Sequence, residues 1–252
     1  PWGKIYGDAW QGVRTSAWLL APAVLLCVLL VVRRRALTER LAMLDKDLGY
    51  VRRDSYWHTP LAIVITILQA LPVSALLAVV GVALVRDPQG INRAMGIALL
   101  HMALAWLVFY TAYRLLKPDG VGVRHFRWQA ERVEVLRGRI RSLGSVVVLL
   151  AGAVEIAERQ PEVLGADVIG MLTFMTGHVL LAWCLIRIFA LRSREARFSL
   201  LNAFISLLLV CAPLLLITLV MLGYYYTAVK LTGQFIHTLY LFIFWYVLDG
   251  LL

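Results

Sequence analysis

Charge is scarce in this chain: Asp, Glu, Lys and Arg make up 16% of its 252 residues. Cysteine is scarcer still. Cys27, Cys184 and Cys211 each fall inside an apolar run, are odd in number and share no CxxC spacing, which gives no support to a disulfide framework or a zinc site. Catalytic signatures are missing as well, with no GxSxG, no HExxH, no Walker loop and no pair of carboxylates within an apolar run. These absences speak against an enzyme, and no cofactor or metal is called for.

Hydrophobicity is what the chain has in abundance. A 61% apolar composition and a mean hydropathy of +0.79 exceed what one soluble core can hide. The solvent for most of the chain is therefore lipid. The net charge of +10 would suggest nucleic acid in a soluble protein, but here the charge sits beside apolar runs, where anionic headgroups attract it. Membrane lipids are the expected partner, and nucleic acid is not.

The basic residues are strongly segregated. Nineteen of the twenty-five Lys and Arg lie in three segments, 33–53, 114–141 and 187–197, each between apolar runs. The positive-inside bias makes these segments cytoplasmic. A bilayer core takes about 20 apolar helical residues, and seven stretches approach that length, near 15–32, 58–85, 91–116, 143–157, 165–190, 199–222 and 231–252. The fold class expected is all-α, a polytopic transmembrane bundle built as hairpins, with the N-terminus outside and the C-terminus inside. The fourth stretch is the shortest, interrupted by Glu155, Glu158 and Arg159, and reads as a short span or a re-entrant segment. Glu155 and Glu158 share a helical face at the outer boundary, where solvation explains them.

Two cytoplasmic linkers, 33–57 and 117–142, carry apolar stripes at helical spacing. Leu37, Leu41, Leu44, Leu48 and Val51 form one; Phe126, Val133, Leu136, Ile140 and Leu143 form the other. Each is flanked by arginines, which defines Arg33, Arg34, Arg35, Arg127, Arg132, Arg137 and Arg139 as candidates for contact with lipid. Such helices either lie in the headgroup layer or pack on a neighbouring helix or cytoplasmic domain. The second and sixth spans each hold a central Pro followed by a Gly, Pro72 with Gly81 and Pro213 with Gly223, a slight echo of a repeat. Both prolines are candidate bend points.

His101 and His178 lie in mid-span, where ionisable groups are functional candidates by default. Neither has a second ligand at i, i+4, so a neutral imidazole bridging two helices is the plainer role; Thr173, Thr176 and Asn202 are read in the same way. Ala94, Ala98, Met102 and Ala105 leave a thin strip on the third span for close helix approach. Phe235, Tyr240, Phe242, Phe244, Trp245 and Tyr246 give the seventh a bulky face suited to lipid.

Three stretches together resemble the large bacterial mechanosensitive channels of the MscS superfamily: RRRALTERLAMLDKDLGYVRRDSYWHTPLAIVITILQALP from Arg33, GVGVRHFRWQAERVEVLRGRI from Gly120, and GYYYTAVKLTGQFIHTLYLFIFWYVL from Gly223. The resemblance implies that residues 1–252 are an excerpt, the peripheral tension-sensing helices, with a periplasmic domain before them and a pore helix and cytoplasmic vestibule after them. It also implies a homoheptamer in the bacterial inner membrane that releases ions and osmolytes on hypo-osmotic shock, in some members with potassium dependence. Two other readings stay open on the residues alone. One is a secondary transporter using His101 or His178; the other is an accessory lipid-binding membrane module.

Overall fold

Backbone N–H and C=O groups find no partner in hydrocarbon, so a chain this apolar has to satisfy them within each segment. It does so with helices. The computed structural model describes residues 21–46, 58–85, 90–117, 130–160, 168–192 and 200–249, and no strand occurs among them. In chain order the helices are α1, Ala21–Val32; α2, Arg34–Lys46; α3, His58–Val85; α4, Gly90–Leu115; α5, Ala130–Arg159; α6, Val168–Arg192; α7, Leu200–Met221; and α8, Tyr225–Asp249.

Five of these, α3 to α7, are long and apolar enough to cross a membrane. The seven-span reading finds less apolar length at its two ends. The described part of α1 is short, and α8 is diluted by Lys230, Thr232, Gln234 and His237. The stretch 143–157 is the second half of the 30-residue α5, and the described part of the arginine-flanked stripe preceding it, from Val133 on, is that same helix rather than a separate one. At 1.5 Å per residue, α5 is about 45 Å long, well beyond a hydrocarbon core of about 30 Å. Half of its most apolar stretch is buried, against a third or less in the other four, so α5 is the central helix.

Packing around α5 depends on small side chains. A Cβ on Gly144 would stand 2.7 Å from the Cβ of Phe109, and one on Gly152 2.7 Å from Met102 Sδ. Both glycines let α4 close onto α5. On the other side of α4, a Cβ on Gly81 would meet Gly96 O at 2.8 Å, and one on Gly96 would meet Val85 N at 2.6 Å. There the backbones of α3 and α4 touch. Ala94, Ala98 and Ala105 are buried along the α4 strip. Between helices in lipid, such dispersion contact supplies much of the attraction.

The core joins Phe109 of α4, Val147 and Val154 of α5, Leu181 of α6, Leu216 of α7 and Ile236 of α8. A second small cluster, Ala62 and Leu115 with Leu41, Ile63 and Val247, ties α2 to the ends of α3, α4 and α8. The α2 stripe thus packs on a neighbouring helix through Leu41. Large apolar residues cover the outside, among them Leu25, Val32, Leu215 and Trp245. An apolar surface of that extent belongs in lipid.

Two joints are sharply defined. Arg33 N–H donates to Leu29 C=O at 2.8 Å and Leu37 N–H to Arg33 C=O at 2.9 Å, so the hydrogen-bond ladder runs across the α1–α2 junction. α7 ends in a Schellman motif. Tyr224 N–H reaches Leu219 C=O, Gly223 N–H reaches Val220 C=O, and Gly223 has φ of 87°, the left-handed value glycine accepts without strain. Gly223 therefore stops a helix, whereas Gly81 lies within α3 and admits Gly96. The Pro–Gly echo between the two spans has two different physical origins.

Candidate functional site

The polar side chains of the bundle gather toward its two ends. At one end α4 carries Arg114, which is 8% exposed. Its guanidinium donates to Gln69 Oε1 of α3, and Gln69 Nε2 donates to Thr38 Oγ1 of α2 at 3.3 Å. Three helices are linked by this chain. Arg34 and Arg137 stand close enough to act electrostatically on Arg114. Arg137 of α5 donates to the Tyr113 hydroxyl at 2.9 Å, with its guanidinium 4.4 Å from that ring centroid. Tyr113 continues an aromatic ladder through Tyr110 to Trp106 along α4, the kind of belt that marks a headgroup boundary.

The opposite end is where acids and bases pair. His101 Nε2 lies 3.3 Å from Glu155 Oε1, whose side chain is 13% exposed, and Glu155 Oε2 also receives Arg159 Nε at 3.3 Å. Lys230 of α8 pairs with Glu158 of α5. Glu155 is therefore a helix-bridging partner, not the merely solvated residue expected from its position. His101 Nδ1 faces Ile97 C=O at 3.1 Å.

Between the ends lies His178, fully buried. Its Nδ1–H donates to Phe174 C=O at 2.8 Å, and its Nε2 lies 3.0 Å from Thr232 Oγ1 of α8. A neutral imidazole accepts there from the Thr232 hydroxyl, which otherwise reaches Ala228 C=O at 2.7 Å. This is the bridging histidine the sequence suggests, here between α6 and α8.

The candidate residues are not brought into one constellation. Arg33, Arg34 and Arg35 are exposed at the α1–α2 junction. Arg137 and Arg139 are half-buried on α5; Arg132 lies in its first turn, and Arg127 lies outside the described residues. Pro72 is half-buried and Pro213 buried, each within an uninterrupted helix. His101 and His178 stand on separate helices with separate partners. Thr176 bonds Leu172 C=O of its own helix rather than bridging two, and the side chain of Asn202 lies outside the described residues. Among the described residues no three His, Cys, Asp or Glu converge as metal ligands. Gln69 and Arg114 are what sequence reasoning missed. The available signal was Gln69, an amide in the interior of an apolar run, which needs a partner.

Long helices with apolar outer faces, close glycine contacts and polar links at both ends and in the interior define a polytopic membrane domain, with no catalytic constellation among the described residues. Its family is specific: the chain belongs to the mechanosensitive ion channel inner membrane domain 1 family, whose model matches residues 17–252. It is 28% identical over 240 residues to the mechanosensitive channel MscK of Escherichia coli, covering 95% of this chain and 21% of that protein. It is 26% identical over 223 residues to an uncharacterised MscS family protein of Haemophilus influenzae, covering 85% of this chain and 20% of that one. The chain spans about a fifth of the length of these relatives. No solved structure matches it. The family is one of inner-membrane channels, not of enzymes.

Proposed function

We propose that this chain is the peripheral, tension-responsive part of a mechanosensitive channel that releases ions and osmolytes on hypo-osmotic shock. The observation that carries the reading is the basic end of the bundle, where Arg114, Gln69 and Thr38 fasten the Arg33–Arg35 junction to helices with lipid-facing sides. Tension favours whichever state has greater in-plane area or a shorter hydrophobic span. A helix array exposed to lipid and tied at one level passes that preference to a pore. The proposed topology has seven crossings, with α1 and α8 completing the five long helices, the N-terminus outside and the basic end cytoplasmic. Pro72 and Pro213 set helix bends in this scheme, and the assembled protein is a homo-oligomer, a heptamer.

Patch-clamp recording of the full-length protein in liposomes free of other channels, under graded suction in potassium and sodium baths, tests the proposal. Tension-gated conductance is expected, and the Arg33→Gln, Arg34→Gln, Arg35→Gln triple variant should need higher tension. Loss of three headgroup attractions, about 1 kcal/mol each, weakens the coupling. Silence of the inserted protein under tension overturns the reading. The transporter alternative rests on His101 and His178, yet each ring nitrogen already faces a neighbour, which favours bridging.

A further inference from the structure

Beside the core, α5 and α6 diverge around a groove of about 550 Å³, within the roughly 300–1,000 Å³ typical of small-ligand sites. Its lining is ordered along the helix axes. Arg139 of α5 and Arg187 of α6 stand toward the basic end, Ser142 one turn farther in, and Leu180 and Trp183 deeper along α6. Among the described residues no acidic side chain lines it. Leu180 and Trp183 are 47% and 59% exposed, so the apolar part opens to the surroundings. Gly138 keeps the charged part open, because a Cβ there would meet no atom within 4 Å.

We propose that this groove binds one anionic glycerophospholipid. Two guanidiniums receive the phosphate, the Ser142 hydroxyl turns from its 3.2 Å contact with Gly138 C=O to add a donor, and an acyl chain lies along Leu180 and Trp183. Charge and polarity are matched from end to end: cationic where a headgroup sits, apolar toward the bilayer centre. A soluble anion would use the arginines and leave the Trp183 wall uncovered. The site deepens the tension-sensing reading and rests on it in one respect, that the basic end lies at headgroup level.

The test is native mass spectrometry of the full-length protein released from detergent, with phosphatidylglycerol or phosphatidylcholine added. Phosphatidylglycerol adducts should persist, and Arg139→Gln with Arg187→Gln should weaken them roughly thirty-fold. Gly138→Leu, which puts a side chain into the groove at a point where a Cβ would meet no atom within 4 Å, should abolish them and leave phosphatidylcholine adducts unchanged. Equal retention by all variants overturns the proposal. So does displacement of the lipid by millimolar inorganic phosphate, which would mark a free-anion site, or a change of oligomer mass in Gly138→Leu, which would mark a protein interface. Tension gating is read separately. A wild type that keeps the lipid but never gates fails the channel reading alone, and one that gates without retaining lipid fails the site alone.

Discussion

Arg114 carries a full charge into a helix interface, and its hydrogen bond to Gln69 is what makes that position tolerable. Gln69→Leu should therefore destabilise the bundle by about 2 kcal/mol, the worth of a hydrogen bond to a charged group, in denaturant unfolding in mixed micelles. Adding Arg114→Met should recover much of the loss, because no buried charge is then left unpaired; a double variant no better than Gln69→Leu would refute the pairing. At the other end, Glu155→Ala should cost about 1 kcal/mol by the same measurement. Glu155→Gln should cost less, since an amide still reaches His101. The bridging role of His178 was legible because a lone imidazole in an apolar run needs a partner. Its identity as Thr232 was not, because 54 residues separate the two and one sequence carries no record of such distances.

Among the elements, α5 is the instructive case. Arg137, Arg139 and Arg141 break its hydrophobic run, so the sequence divides into a basic linker and a short span. Helix formation responds to backbone hydrogen bonding, which arginine supports well, and the structure joins the two. Stripe spacing was a sound guide to the buried face, since Val133 and Leu143 are both in the core. Glycine roles were harder to read. Gly96→Ala forces a methyl against the Val85 and Gly81 backbone and should cost about 1–3 kcal/mol. Gly138→Ala meets nothing and should stabilise by up to about 1 kcal/mol. Unfolding of both variants decides: equal effects would disprove the close approach of α3 and α4.

For the whole molecule, the clustering of basic residues made membrane residence legible, and the structure adds that Arg137 meets Tyr113 while Arg139 and Arg187 share one groove, as common-end residues should. Orientation is open to direct measurement. With Cys27, Cys184 and Cys211 replaced by Ala, an impermeant maleimide added outside a cell wall made leaky should label Gln160→Cys in intact cells and Lys117→Cys only after the inner membrane is opened. The reverse order would invert the proposed topology.

The backbone contact between Gly81 and Gly96 has a mechanical corollary. Helices that meet through side chains slide by changing rotamers, but at this crossing Gly81 and Gly96 bring backbone against backbone, with Leu100 and Val85 beside them, so the pair should move as one stiff plate. Any widening of the domain is then displaced to looser seams, such as the one between α5 and α6 that opens into the groove. Spin labels across that seam should separate in thinner bilayers while labels across the plate keep their distance; equal spreading at both would show that the compliance is uniform.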